Sequence, residues 1–330
     1  MRLAKFLMIG LLVGGVVGSL AAVGVAKAPG DYKMVLILPG PINDQSWNAA
    51  NYAGLVACNR DLGTHMEYVE NVQPSDFESI FRNYGERGYD LVMAAGTQFD
   101  EAAQRVAPDY PNTTYVVVNG ATAVGPNLCP VLPKEYEASF LAGLIAGYTT
   151  KTGKIGIAGG FPNKLMIRLL NTYEWAARVG CPNLQVIRSY ANSWSDVALG
   201  KQMASSMIDQ GADVLFFYAN QVGLGAIQAC KEKGAKFVGF ASNQNDVAPG
   251  TVVASVYMDF GTMYKWVVER FMAGKLEPVV NEVGIAQDIF KVAYTDQVPE
   301  SVRELVEQAA AAIANGELLK FLSQFPEPLD

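Results

Sequence analysis

Short apolar runs alternate with amphipathic segments along the chain, and several of these runs lead straight into a polar loop. Runs such as Leu36-Ile37-Leu38 and Tyr115-Val116-Val117-Val118 are continuously apolar, which is typical of strands buried on both faces of a parallel sheet. In the first half of the chain the pattern predicts strands at 34–38, 65–70, 90–95 and 114–118, with helices at 46–62, 76–87 and 101–107. Strands that alternate with helices indicate an α/β fold.

The same alternation starts again near residue 136. Helices are predicted at 136–150, 164–179, 196–210 and 224–233, and strands at 154–158, 184–190, 213–218 and 236–240. Gly63, Gly88, Gly211 and Gly234 stand where predicted helices end, as glycines in left-handed C-terminal caps do. Two successive series predict two doubly wound lobes, each with its own parallel sheet.

Three extended segments are candidates for crossings between the lobes. The segment 129–133 is flanked by prolines, 251–257 is a strand with no strand–helix unit directly after it, and 279–293 is a further extended return. We therefore assign 29–130 with 258–279 to an N-terminal lobe, and 131–257 with 280–330 to a C-terminal lobe. Open α/β sheets bind ligands beyond the carboxyl ends of their strands, so we expect a ligand cleft between the lobes.

The N-terminal residues are predicted to be a signal peptide rather than part of the fold. Arg2 and Lys5 precede an apolar run at 6–25, and Ala26-Lys27-Ala28 fits a small-x-small cleavage site. The run is also near the length of a membrane span, so an uncleaved anchor is the alternative to cleavage after residue 28. The formal net charge of -7 argues against a nucleic-acid-binding protein, which needs a basic face.

No catalytic or metal site can be recognised in the sequence. The only histidine, His65, lies at the start of a predicted strand, and the four cysteines include no C-x-x-C pair. A G-x-S-x-G nucleophile elbow is also missing. We therefore predict a binding protein with no catalytic residue, no metal and no cofactor.

Polar and aromatic residues follow the first predicted strand. Trp47 lies in the first turn of the first predicted helix, where it is either a core anchor or a flat platform for a ring. Stacking of a base on an aromatic side chain contributes about 1–3 kcal/mol, so one exposed Trp can dominate recognition. Asn43, Asp44 and Asn48 offer hydrogen bonds beside it. The alternative is that Asn43, Asp44 or Ser46 only caps the helix.

Similar amide and aromatic residues recur at the ends of later strands. The carboxyl ends of parallel strands share one edge of a sheet, so the recurrence favours a binding surface. For each single residue the alternative is a turn or a helix cap. Trp175 and Trp266 lie on predicted helices, and we expect both in the core. The candidate ligand contacts in these loops are Thr97, Phe99, Asn119, Phe161, Trp194, Tyr218, Asn220 and Asn243.

Seven motifs spread over most of the chain together resemble one family. They are Asn43-Asp44-Gln45-Ser46-Trp47-Asn48, Gly88-Tyr89-Asp90-Leu91, Tyr136-Glu137-Ala138-Ser139-Phe140-Leu141-Ala142-Gly143, Thr150-Lys151-Thr152-Gly153-Lys154-Ile155-Gly156, Gly159-Gly160-Phe161-Pro162, Asp209-Gln210-Gly211-Ala212-Asp213 and Pro249-Gly250-Thr251-Val252. In these the chain resembles the BMP (basic membrane protein) family of ABC-transporter substrate-binding proteins, which includes purine-nucleoside receptors.

The resemblance implies a type I periplasmic-binding-protein fold and a purine base or nucleoside as ligand. By position, Asp44 and Asn48 are implied as polar contacts and Trp47 as the stacking ring. Trp47 and the loop that holds Trp194 look like the branch that binds a free base such as adenine. The implied partners are the purine and an ABC permease in the membrane, with no nucleic acid. The implied state is an exported monomer, soluble after signal cleavage.

The chain departs from the family pattern at three candidate positions. Asn119 stands where the family often has Asp, and Ser242-Asn243 stand where another Asp is common. Asp259, a further candidate ligand contact, ends a segment in which nucleoside receptors carry Lys. Two other functions stay open: a sensory receptor for a membrane kinase or chemoreceptor, and a nucleoside hydrolase.

Overall fold

The structure is a computed structural model that describes residues 27–43 and 47–318. These residues form two α/β lobes, each built on a six-stranded sheet. The strands are β1 (Met34–Ile37), β2 (Glu67–Val69), β3 (Leu91–Ala95), β4 (Thr114–Val118), β5 (Val131–Pro133), β6 (Lys154–Gly159), β7 (Gln185–Tyr190), β8 (Val214–Tyr218), β9 (Lys236–Ala241), β10 (Val252–Met258), β11 (Asn281–Val283) and β12 (Phe290–Tyr294). The helices are α1 (Trp47–Leu62), α2 (Phe77–Glu86), α3 (Asp100–Val106), α4 (Glu135–Thr149), α5 (Lys164–Gly180), α6 (Val197–Asp209), α7 (Gln221–Lys233), α8 (Phe260–Met272) and α9 (Glu300–Ala314). Short 3₁₀ helices lie at Pro29–Asp31, Pro74–Asp76, Thr97–Phe99, Ala107–Asp109 and Ile285–Gln287.

The two sheets have the same plan. The N-terminal sheet runs β11-β5-β4-β3-β1-β2 and is parallel throughout. The C-terminal sheet runs β12-β10-β9-β8-β6-β7, and only β12 is antiparallel to its neighbour. Helices cover both faces, which is why strands such as β1 and β3 are buried along their whole length. The prediction of two doubly wound lobes is confirmed.

The chain crosses between the lobes three times, as predicted. The first crossing passes Lys134 between β5 and α4, the second passes Asp259 between β10 and α8, and the third spans residues 284–289 between β11 and β12. After the second crossing, α8 packs on α1 and so belongs to the N-terminal lobe. The crossings bring the carboxyl ends of strands from both sheets to the same gap.

The predicted lobe boundaries are wrong by one short strand at two places. Residues 131–133 and 281–283 were assigned to the C-terminal lobe, but they form β5 and β11 of the N-terminal sheet. The amide of Asn119 donates to the carbonyl of Val131 at 2.8 Å, and the β11 strand then pairs in parallel with β5. Pro133 ends its strand, a position where a missing N–H is tolerated. The predicted signal peptide lies outside the described residues except for 27 and 28, and it stays a prediction.

Within the described residues, no helix is both long and apolar enough to cross a membrane.

Candidate ligand-binding site

The cleft between the lobes contains two adjoining chambers. The hinge-side chamber, of about 290 Å³, touches all three crossings through Glu135, Met258 and Phe290. The loop-side chamber, of about 410 Å³, lies among the loops that follow β3, β4, β7 and β8. Four residues line both chambers: Trp47, Tyr218, Asn220 and Gln221. The hinge-side volume is at the lower end of the range of about 300–1,000 Å³ for small-molecule sites.

Aromatic side chains from both lobes and amide side chains from the C-terminal lobe dominate the hinge-side chamber. Trp47 and Phe260 come from the N-terminal lobe. The C-terminal lobe contributes Tyr218, Phe240, Tyr257 and Phe290, together with the polar residues Asn220, Gln221, Ser242, Asn243 and Gln244. Flat apolar walls with a few convergent hydrogen-bonding groups suit a small heteroaromatic molecule.

Trp47 is held in place in the wall that separates the two chambers. Its indole Nε1 donates to the carbonyl of Ala95 at 3.0 Å, so the first helix is tied to the end of β3. Its ring meets Phe260 edge to face, with centroids 5.4 Å apart and an interplanar angle of 87°. The ring is only partly buried, which leaves a flat surface in the cleft with a fixed orientation.

The loop-side chamber gathers predicted residues from four loops. Asn48 is almost buried, and its Oδ1 accepts from the amide of Gly40 at 3.2 Å. The Trp194 ring lies directly on Gly160, where an added Cβ would overlap the indole. Thr97 is exposed on the N-terminal side of this chamber. Gly96, Gln98, Ser195 and Gln221 also line it, and of these Ser195 was not among the predicted strand-end loops.

Left-handed backbone recurs where strands end at the cleft. Asn119, Asn192 and Asn220 have φ of 62°, 50° and 48°, and Asn adopts this region more readily than most residues. Ala241 has φ of 68°, which costs an ordinary L-residue about 1–2 kcal/mol. Strain of this kind concentrates at functional sites. The buried Oδ1 of Asn119 has no hydrogen-bond partner in the described part of the chain.

Glu135 is a cleft residue that the sequence analysis missed. It is the first residue of α4, directly after the first crossing, and Tyr218 Oη donates to its Oε1 at 2.8 Å. Burial raises the pKa of the Glu135 carboxyl to about 7, although the bond from Tyr218 acts in the opposite direction. Acidic residues are common in the first turn of a helix because they interact favourably with the helix dipole. The sequence around Glu135 therefore did not indicate that this residue lies in the cleft.

The described lining of both chambers carries no positive side chain. None of the described residues that line them is Lys or Arg. Arg168 instead lies over the ring of Tyr136, 3.5 Å from its centroid, and Lys164 is exposed at the start of α5. In the described ranges there is also no group of three His, Cys, Asp or Glu that could hold a metal ion. The described lining of these two chambers therefore offers no Lys or Arg to a ligand.

Residues 32–318 match the family model of PnrA-like ABC transporter substrate-binding proteins, the Bmp family. The chain belongs to this family. A purine-binding protein of Brucella abortus is 25% identical over 301 residues, which cover 90% of this chain and 85% of that protein. The ABC transporter nucleoside-binding protein BmpA of Lactococcus lactis is 25% identical over 255 residues, which cover 71% of this chain and 73% of that protein.

Solved structures show the same fold at lower identity. A transcriptional activator of the comK gene from Bacillus halodurans has a TM-score of 0.78 at 21% identity, covering 89% of this chain and 99% of that one. An ABC transporter solute-binding protein from Conexibacter woesei has a TM-score of 0.72 at 20% identity, and the match covers 91% of this chain and 100% of that one. The predicted Bmp-family membership and type I periplasmic-binding-protein fold are confirmed.

In this Bmp-family chain most of the predicted contacts lie in the cleft. Asn243 lines the hinge-side chamber, and Trp47, Tyr218 and Asn220 line both. The loop-side chamber holds the others: Asn48, Thr97, Asn119 and Trp194. That any of them contacts a ligand stays a prediction. Asp44 lies outside the described residues.

The prediction that Phe99 contacts ligand is wrong. Its side chain is fully buried in the N-terminal lobe, 4.1 Å from the ring of Phe77 and 6.0 Å from that of Phe81. It is the last residue of the 3₁₀ helix Thr97–Phe99, and that turn directs the apolar ring into the core. Burying it there removes it from the cleft.

Three other predicted contacts have other surroundings. The Asp259 carboxylate caps α8, with Oδ1 accepting from the Thr262 amide at 3.0 Å and Oδ2 from the Thr262 hydroxyl at 2.8 Å. Phe161 packs at 5.6 Å on Trp194 and lines neither chamber. Asn43 is exposed in the turn after β1, also outside both chambers.

The two tryptophans expected in the core are not buried. Trp175 has 38% of its surface exposed and packs beside Phe140. Trp266 is partly buried, and the guanidinium of Arg270 lies 4.8 Å from its ring centroid. A large amphipathic ring on a helix can cover a neighbour and still face solvent. The expectation for Trp175 is therefore wrong.

Proposed function

We propose that this protein is exported, captures a purine base or nucleoside between its two lobes, and delivers it to an ABC importer. The observation that carries the proposal is the hinge-side chamber. Aromatic rings from both lobes surround it, amide side chains reach into it, and its described lining includes no positive charge. A neutral, flat, hydrogen-bonding ring fits this chemistry better than a sugar acid or a phosphate does.

The fixed orientation of Trp47 supports a stacking role. Two protein contacts hold the ring: the hydrogen bond from Nε1 to the carbonyl of Ala95 and the edge-to-face packing on Phe260. A pre-ordered ring loses little conformational entropy on binding, which favours affinity. The amides of Asn220, Gln221 and Gln244 then supply donors and acceptors for the edges of a base.

The names of two relatives point to the same ligand class. The Brucella abortus relative is a purine-binding protein and the Lactococcus lactis relative is a nucleoside-binding protein. Membership of the substrate-binding family supports an ABC permease as the partner.

Isothermal titration calorimetry against a ligand panel tests the binding step. The panel contains adenine, hypoxanthine, guanine, adenosine and inosine, with glucose, ribose and two amino acids as controls. We expect at least one purine to bind with a sub-millimolar Kd, and native mass spectrometry of freshly purified protein to show a retained purine mass. Binding of only a sugar or an amino acid would refute the proposal.

Delivery is tested separately. The genomically adjacent permease is reconstituted in liposomes, and its ATPase rate is measured with the binding protein, with and without the best purine. We expect the loaded protein to stimulate the rate. Tight purine binding without stimulation of the ATPase would support the purine-binding part of the proposal and refute delivery to the importer.

A further inference from the structure

We infer that Glu135 decides which purines the cleft accepts, by receiving a hydrogen bond from a ring or exocyclic N–H of the ligand. On this view the site selects bases that carry such a donor over analogues in which it is methylated. The inference rests on the proposed purine function and adds a specificity determinant to it.

The position of Glu135 gives it access to the ligand. It lines the hinge-side chamber together with Tyr218 and Phe240. It lies one residue after Lys134, where the chain passes from the N-terminal sheet into α4. A side chain at this junction faces the gap between the lobes rather than the core of either one.

The carboxyl group has unused acceptor capacity. Tyr218 Oη donates to Oε1 at 2.8 Å, and no other hydrogen bond or ion pair from the described residues reaches the group. Neighbouring cations are engaged elsewhere, since Lys134 pairs with Glu137 and Arg168 lies over Tyr136. Two carboxylate oxygens together offer about four acceptor sites, so Oε2 is left for a ligand donor.

Glu135 also differs in kind from every other polar group of this chamber. The Asn, Gln, Ser and Tyr side chains that line it can each donate as well as accept a hydrogen bond. Above its raised pKa of about 7 the Glu135 carboxyl is ionised and only accepts, so the contact belongs to that pH range. A ligand atom placed against it therefore needs a proton to donate, and an acceptor or a methyl group there leaves the charge unpaired in a poorly hydrated site.

Tyr218 is the positioning residue for this contact. Its hydroxyl bonds Oε1, and its ring packs edge to face on Phe240 with centroids 4.9 Å apart. Both residues belong to the C-terminal sheet, so the carboxyl is oriented from β8.

The test compares two ligand pairs in two proteins by calorimetry, at a pH above 7 where the Glu135 carboxyl is ionised. The pairs are adenine with N6,N6-dimethyladenine and hypoxanthine with 1-methylhypoxanthine, and the proteins are wild type and Glu135→Gln. We expect wild type to prefer the donor-bearing member of at least one pair by tenfold or more. In Glu135→Gln we expect the ratio of the two Kd values in that pair to fall at least tenfold. A preference that came only from the size of the methyl groups would be the same in both proteins.

A matched variant controls for the change of charge. Glu304→Gln makes the same substitution at an exposed position of α9, and we expect it to keep the wild-type preference. If Glu135→Gln does not fold, Tyr218→Phe replaces it, because it keeps the carboxyl but removes its orienting bond, and the preference should again decline.

The possible failures are distinguishable. Wild-type protein that binds no purine overturns the proposed function. Wild-type protein that binds purines, with an unchanged preference in Glu135→Gln or in the substitute Tyr218→Phe, overturns the role of Glu135 alone.

Discussion

Gly54 of α1 lies directly against Phe260 of α8, so that a Cβ at residue 54 would stand 2.6 Å from the Phe260 Cβ and 2.9 Å from its carbonyl carbon. This contact joins the helix that begins with Trp47 to the residue that follows the second crossing. The hydroxyl of Tyr264, one turn further along α8, donates to Oδ1 of Asn51 in the same interface. Close approach of these two helices thus sets the distance between two rings of the hinge-side chamber.

Gly54→Ala is expected to lower the free energy of unfolding by about 1–3 kcal/mol, because backbone atoms of α8 must move to accommodate the methyl group. The same shift displaces Phe260, so affinity for the best purine should also decline. Urea denaturation and calorimetry measure the two effects. Ala53→Ser, at an exposed position of α1, is the control and should stay within about 0.5 kcal/mol of wild type. An equally stable Gly54→Ala protein would show that the helices can separate freely.

Trp47→Ala should weaken binding of the best purine by about 1–3 kcal/mol if the ring stacks on the base. It should also lower the free energy of unfolding of the ligand-free protein by about 1 kcal/mol, because the hydrogen bond to Ala95 is lost. Calorimetry and urea denaturation separate the two. Trp175→Ala removes an exposed indole outside both chambers and is the matched control. Unchanged affinity with a large stability loss would make Trp47 a core residue only.

The strands were predictable because their signal is local. A run such as Tyr115-Val116-Val117-Val118 is apolar at every position, and β4 begins and ends where this pattern predicts. The three-residue strands β5 and β11 have no such signal. They join the sheet through hydrogen bonds to partners distant in sequence, as when Asn281 N donates to the carbonyl of Pro130 at 2.8 Å. Their assignment to the wrong lobe follows from this dependence on long-range pairing.

The site was predictable only as a set of loops. Topology places the ends of parallel strands together, so Tyr218 and Asn220 could be assigned to the cleft without knowing any side-chain direction. Direction within a loop depends on the turn, and the turn at Gly96 sends Phe99 inward. Glu135 reaches the cleft because α4 begins at a crossing, and the position of that crossing was itself displaced in the prediction.

The ligand-free protein should show a pH dependence of stability that comes from Glu135. Its folded pKa of about 7 lies above the ordinary value of 4.5 for a glutamate carboxyl, so protonation favours the folded state. The contribution is fully present below pH 4.5 and is lost as the pH rises through about 7. Thermal melts of wild type and Glu135→Gln between pH 4 and 8 test this. We expect the melting temperature of wild type to fall relative to that of the variant as the pH rises. A difference in melting temperature that stays constant with pH would contradict a raised pKa at Glu135.

The lobes are expected to close around the ligand, because three crossings form a hinge and the chambers draw residues from both lobes. Small-angle X-ray scattering should give a smaller radius of gyration with saturating purine than without it. Protein that has been unfolded, dialysed and refolded serves as the ligand-free reference, so that retained ligand does not mask the change. Identical profiles from the refolded and the saturated protein would argue for a rigid cleft.

Nucleotides should be rejected by the site. A phosphate dianion needs Lys, Arg or a well-aimed helix N-terminus, and the described lining of both chambers includes no Lys or Arg. Glu135 adds an acidic group to the same gap, and a closed cleft would bury the dianion without a partner, at a cost of several kcal/mol. We therefore expect adenosine monophosphate to bind at least about tenfold more weakly than adenosine, a difference of roughly 1.4 kcal/mol.

Competition calorimetry measures the ratio of the two affinities. Arg168→Gln is the informative variant, since Arg168 lies over Tyr136 outside both chambers. Equal or tighter binding of the monophosphate that is lost in Arg168→Gln would show that this guanidinium leaves Tyr136 to hold the phosphate.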